Sequence, residues 1–252
     1  MGRDLIAPNS RLIVEFVGMP GSGKSTISHA FAEELRNRGH EVLEPIWDNF
    51  RLVSERDRRL SKIRIAAQET LGFRRHAFEG MRSLLGTSQS RLAAYPSMAL
   101  NWFYIAGLSR EAARQSVVTV FDQGVLQALW SVAYGNDALQ SMSIDEWASR
   151  AGERLPPGSV AVFVDADEPT LRARLATRDE SQGRIDAAMA GSEQEFDLAI
   201  EKGFAALDFV ERAAGHLQRE GRLRIERVDS GSSDPESLAR QLVEILYQGD
   251  EW

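Results

Sequence analysis

The chain has 252 residues, 43% hydrophobic and 27% charged, which is long enough to bury a large core in one domain. A formal net charge of −7 argues against a surface shaped for nucleic acid, and the absence of cysteine excludes disulfides, zinc–thiolate sites and thiol catalysis. Neither a signal-like segment nor an apolar run of bilayer length is visible, so a cytoplasmic location with no membrane partner is the expectation.

In chain order, Leu12 to Val17 is a short apolar run ended by Gly18 and reads as a buried strand. Thr26 to Arg38 reads as a helix, with Ile27, Ala30, Phe31 and Leu35 on one face and Gly39 as its stop. Glu41 to Trp47 is expected as a second strand, with Pro45 near its end. Residues from about 50 to 115 read as a helical insertion. Val117 to Phe121 forms a third strand ending in Asp122-Gln123-Gly124, and Val160 to Val164 a fourth ending in Asp165. Leu223 to Val228 alternates apolar and charged residues as a fifth strand. Pro235 to Gln248 closes the chain as a helix with Leu238, Leu242, Ile245 and Leu246 on one face. Strands separated by helices argue for an α/β fold with a parallel five-stranded sheet and helices on both faces. The uninterrupted apolar strands belong in its centre and the alternating second and fifth at its edges, which the order 2-3-1-4-5 satisfies. No linker divides the chain, so residues 1–252 read as a single domain.

Between the first strand and helix, Gly18-Met19-Pro20-Gly21-Ser22-Gly23-Lys24-Ser25 matches G-x-x-x-x-G-K-[ST] in the strand–loop–helix context that motif requires. Glycines let the backbone curl so that successive N–H groups point at phosphate oxygens, and the helix N-terminus adds its positive end. The stretch Gly18, Pro20, Gly21, Ser22, Gly23, Lys24, Ser25 and Thr26 is therefore the expected cradle for ATP. Lys24 would reach the β- and γ-phosphates and the Ser25 hydroxyl would ligate Mg²⁺. An N-K-x-D guanine-reading segment and an L-S-G-G-Q segment are both missing, which weakens GTPase and transporter readings.

With these motifs the chain resembles the P-loop nucleoside and nucleotide kinases of the thymidylate kinase and deoxynucleoside kinase group, which implies a three-layer P-loop kinase fold and phosphoryl transfer from ATP with Mg²⁺. Besides the phosphate loop, three segments carry the resemblance. Glu44-Pro45-Ile46-Trp47 is similar to the E-P-V-x-x-W segment of deoxynucleoside kinases, and the resemblance puts a sugar contact and general base on Glu44; the other reading is an edge-strand carboxylate facing water. Asp122-Gln123-Gly124 stands where the families have D-R-Y or E-R-S, with Gln123 replacing the arginine that helps hold the acceptor. A carboxylate there, at a strand's C-terminal end beside the phosphate loop, can hold Mg²⁺ through water or take a proton. Val162 to Arg184 is similar to a strand, helix and lid, the lid spanning about 178–195; Arg174 and Arg178 share a helix face, and Arg178 and Arg184 are the lid arginines that would cover the phosphates.

Other features read both ways. Trp102-Phe103-Tyr104 could stack on a base or simply fill the core, and Arg110 could meet a phosphate. From Arg51 to Arg91 ten basic residues face four acidic ones, leaving +6 there and −13 in the remainder, either to steer an anionic substrate or as a solvated helix face. The four histidines show no ligand spacing. The expected acceptor is a small molecule, a nucleoside or nucleotide. A non-nucleotide metabolite kinase, a regulatory ATP-binding module with little turnover, and, less favoured, an enzyme acting on nucleic-acid ends are the alternatives; a homodimer is left open.

Overall fold

The five β-forming runs assemble into one parallel sheet in the order β2-β3-β1-β4-β5, where β1 is Leu12–Val17, β2 Val42–Leu43, β3 Val118–Phe121, β4 Ser159–Asp165 and β5 Leu223–Asp229. The structure, a computed structural model, describes residues 11–89, 92–177 and 191–247. Val14 on β1 aligns with Val120 on β3 and with Val160 on β4, so the three apolar strands form the middle of the sheet. The expected order and the expected edges both hold.

Side chains alternate across a strand, and the alternation of β1 divides the core into two layers. Leu12, Val14 and Phe16 face α1 (Lys24–Asn37) and α10 (Pro235–Tyr247), packing with Phe31, Leu35, Leu242 and Leu246. The Phe16 and Phe31 rings meet at 5.6 Å in a tilted pair. Ile13 and Val17 face the opposite layer, built from α5 (Ala94–Ala112), α6 (Val125–Tyr134), α7 (Ile144–Gly152) and the long α9 (Glu193–Arg219). Trp102, Phe103 and Tyr104 are buried in this second layer and act as core. In α10 the buried stripe is Leu238, Ala239, Leu242, Val243 and Leu246, while Ile245 is left 40% exposed one residue off that stripe.

Between β2 and β3 the chain runs through α2 (Pro45–Leu52), α3 (Glu55–Gly72), α4 (Arg74–Leu85) and α5. Ser54 caps α3 by accepting a hydrogen bond from the Asp57 amide. Helices α3 and α5 lie close, because a Cβ on Gly107 would come 2.6 Å from Ile65 Cγ2. The second strand is shorter than the sequence leads one to expect. Only Val42 and Leu43 pair with β3; Glu44 is the N-cap and Pro45 opens a helix that carries Trp47. Proline's fixed φ suits the first helical position, where its missing N–H costs nothing, so Pro45 starts a helix rather than ending a strand. After β4, α8 (Glu168–Ala176) is capped by Asp167. No helix among the described residues is long and apolar enough to cross a membrane.

Candidate phosphate-binding site

At the C-terminal end of β1 the chain curls before entering α1. Gly21 and Gly23 have φ of 85° and 89°, a region that favours residues without a Cβ, and Gly23 is the N-cap of α1 with no side-chain cap. The first turn of α1 contains no acidic residue, so its positive end is left for an external anion. Inside the curl, the Ser22 amide donates to the Met19 carbonyl at 3.1 Å and the Ile27 amide to the Gly23 carbonyl at 3.0 Å. Gly18 is required by close approach: a Cβ there would lie 2.7 Å from the Val164 carbonyl oxygen of the neighbouring strand and 2.8 Å from Ser22 Oγ. Ser22 is fully buried, and its Oγ has no hydrogen-bond partner among the described residues.

Three of the expected site residues converge. Ser25 Oγ donates to Asp122 Oδ2 at 3.0 Å, bringing the first turn of α1 to the tip of β3. Lys24 Nζ donates to the Met19 carbonyl at 3.3 Å, folding the ammonium group back over the curl. Asp122 is buried, and its Oδ1 has no protein partner among the described residues. Burial raises the Asp122 pKa, while the Ser25 hydroxyl and the Lys24 charge oppose that rise. The donors offered here, a hydroxyl and a carboxylate, are hard oxygens of the kind Mg²⁺ prefers, and the orphaned Oδ1 leaves the carboxylate one acceptor unmet by the protein.

Two supports of the loop carry no motif signal. Glu15 is 1% exposed in the middle of β1, on the α6 side. Its Oε1 accepts from the Gln127 amide at 2.9 Å at the start of α6, and Gln127 Oε1 accepts from the Gly18 amide at 3.1 Å. Burial pushes the Glu15 carboxyl up to about 8, against the lowering effect of the α6 amides. The only trace of this in sequence is one carboxylate in the run Leu12 to Val17. The second support is Arg174 on α8, whose Nη1 donates to the Ser22 carbonyl at 3.2 Å and to Ser230 Oγ at 2.8 Å, and whose Nη2 donates to the Ser230 carbonyl at 3.0 Å. Its spacing with Arg178, read from sequence as a shared helix face, does not disclose this contact, and α8 ends at Ala176 with Thr177 as its C-cap.

Glu44 does not face water. It is 2% exposed, with His29 Nδ1 at 3.1 Å and Arg36 Nη1 at 2.6 Å, both from α1. His29 also stacks on Trp47 with ring centroids 4.3 Å apart. The fold thus brings His29, Glu33 and Glu44 together despite their lack of ligand spacing, but Arg36 bonds to both carboxylates and offsets part of their charge. Arg110 pairs with Glu69 near the C-terminal end of α5, towards the strand starts and away from the phosphate loop. Arg178 and Arg184, with most of the expected lid, lie outside the described residues.

A family model described as an AAA domain matches residues 14–197. No curated protein matches the sequence. Among solved structures, the chain is similar to a deoxyadenosine kinase from M. mycoides solved with the products dCMP and a flexible dCDP bound, at 13% identity and a TM-score of 0.52 over 94% of this chain and 99% of that one. It is also similar to a shikimate kinase from Acinetobacter baumannii in complex with shikimate, at 14% identity and a TM-score of 0.43 over 95% of each chain. The first of these, with the strand order, shows the P-loop kinase fold that the motifs imply.

Proposed function

For a chain that belongs to the AAA domain family, we propose ATP- and Mg²⁺-dependent transfer of a phosphoryl group to a small acceptor, a nucleoside or a nucleotide. The observation that carries this reading is the contact between Ser25 Oγ and Asp122 at the mouth of the glycine curl, which joins a phosphate cradle to a metal-binding pair of oxygens. We read residues 1–252 as one domain serving this reaction.

The loop amides and the N-terminus of α1 hold the phosphate oxygens, and Lys24 balances their charge. Ser25 Oγ and Asp122 Oδ2 are the groups that would hold Mg²⁺, which supplies charge neutralisation on the transferred phosphoryl. Gly18 and Gln127 keep the start of the loop fixed, and Arg174 keeps its Gly21–Ser22 segment fixed, so positioning is built in before the nucleotide arrives. When the acceptor is an alcohol, its oxygen bonds to the γ-phosphorus, the bond to the β-bridging oxygen breaks, and the hydroxyl proton goes to Asp122 Oδ1. Asp122 suits that role better than Glu44, whose carboxylate is occupied by Arg36 and His29. A phosphate acceptor is already ionised and needs no base. Arg178 and Arg184 are proposed to close over the transferred group.

The test incubates the protein with ATP and Mg²⁺ against a panel of nucleosides and nucleoside monophosphates and follows ADP. ADP release dependent on one panel member is expected. Tight ATP binding with silence across the whole panel would refute the acceptor assignment. A non-nucleotide acceptor is the second reading, favoured by exposed Gln123 where the resembled families carry arginine, and sugars or shikimate-like alcohols form its arm of the panel.

A further inference from the structure

At the opposite edge of the sheet, where the strands begin, lies a cavity of about 270 Å³ that the proposed reaction does not use. It sits between the end of α5, the segment from Gly152 to Pro157 that leads into β4, and Arg222 ahead of β5. Arg110, Arg154 and Arg222 line it, with Glu153 the one acidic side chain in its wall.

The local charge does not balance. Glu69 takes hydrogen bonds from both Arg110, at 2.8 and 2.7 Å, and Arg154, at 2.7 Å, so one carboxylate serves two guanidinium groups. Glu153 lies 2.9 Å from Arg150, which also bonds to Glu79 at 2.9 Å. Arg222 donates to the Gly152 carbonyl, which carries no charge. The Arg154 side chain is 3% exposed, and its Nε has no partner among the described residues. A guanidinium group withdrawn from water with a donor unmet is costly unless something satisfies it. Burial lowers the Arg154 pKa against the raising effect of the Glu69 and Glu153 charges, with Arg110 and Arg150 adding to the drop. Guanidinium groups match oxyanions through paired N–H donors, and a wall of three of them around a small cavity has the chemistry of an oxyanion receptor.

We propose that this cavity binds a compact dianion carrying several oxygens, a phosphate group or a small dicarboxylate, at a second site remote from the phosphate loop. The bound oxyanion takes the unmet Arg154 donor and the N–H groups of Arg110 and Arg222 that Glu69 and the Gly152 carbonyl do not occupy, and so ties α5 to the starts of β4 and β5.

Differential scanning fluorimetry at constant ionic strength tests this with inorganic phosphate and with succinate. The background is Lys24→Ala, so that phosphate at the loop contributes little. A saturable rise in melting temperature of about 3 °C with at least one probe is expected. Phosphate acting alone assigns a phosphoryl ligand and succinate alone a carboxylate. Ala113→Glu, which places a carboxylate in the cavity wall without removing a native hydrogen bond, should abolish the rise, as should Arg222→Gln. Circular dichroism reports whether each variant is folded, and one folded variant is enough for the comparison. No rise with either probe, or a rise that survives in a folded variant, overturns the proposal. Neither result bears on ATP turnover.

Discussion

Replacing Glu15 with Gln isolates one buried acid whose proton is held by the fold. The carboxyl of Glu15 is fully enclosed between β1 and the start of α6, and burial raises its pKa from 4.5 to about 8. Between those values the folded chain keeps a proton that the unfolded chain has released, so stability falls as pH rises. The contribution is fully present below the unfolded value and lost as pH passes through the folded one. Each pH unit well inside that window costs about 1.4 kcal/mol, and because the slope halves at the folded value this one group removes about 2.3 kcal/mol from pH 6 to pH 8. Glutamine keeps an oxygen to accept from the Gln127 amide but does not titrate. Urea unfolding of both proteins at pH 6, 7 and 8 measures the difference. The expected result is that the wild type loses stability relative to Glu15→Gln as pH rises, by about 2–3 kcal/mol over the range. A constant difference across the three pH values would mean that Glu15 ionises normally and that its burial does not act on its proton.

Three further outcomes are expected. Lys24→Ala should abolish ADP release while leaving the melting temperature within about 2 °C of wild type, since Lys24 belongs to no core cluster; retained turnover would move the donor site elsewhere. Asp122→Asn should lower kcat by about 10²-fold or more and raise the Mg²⁺ concentration needed for half-maximal rate, because it removes a charge that faces Ser25; an unchanged magnesium titration would separate Asp122 from the metal. Arg174→Ala strips hydrogen bonds from Gly21, Ser22 and Ser230, and should destabilise the chain by about 1–3 kcal/mol and weaken ATP binding measured by calorimetry; unaltered affinity would mean the loop keeps its shape unaided.

The sheet was legible because parallel strands buried on both faces leave uninterrupted apolar runs, and because glycine or aspartate ends each of the central ones. The order followed from which strands alternate. Pro45 misled because proline suits both the end of a strand and the start of a helix, and Glu44, at the N-cap position without a side-chain cap hydrogen bond, does not mark which. Ser25 and Asp122 were found by motif and by position at a strand tip, and they meet. Glu15 and Gln127 were not singled out, and Arg174 was singled out only for its spacing with Arg178, not for its hold on the loop. Their roles depend on pairings across 112, 109 and 152 residues of sequence, which no local period encodes. The clamp on Glu44 was hidden for a related reason, since His29 and Arg36 become its partners only when α1 is laid beside β2.

Arg174 holds Ser22 with one hand and Ser230 with the other, so the glycine loop that follows β1 is braced by the segment that follows β5. During synthesis the ribosome must release Ser230 before that brace can form. Nascent chains therefore carry the whole glycine motif long before they carry the brace that fixes its shape.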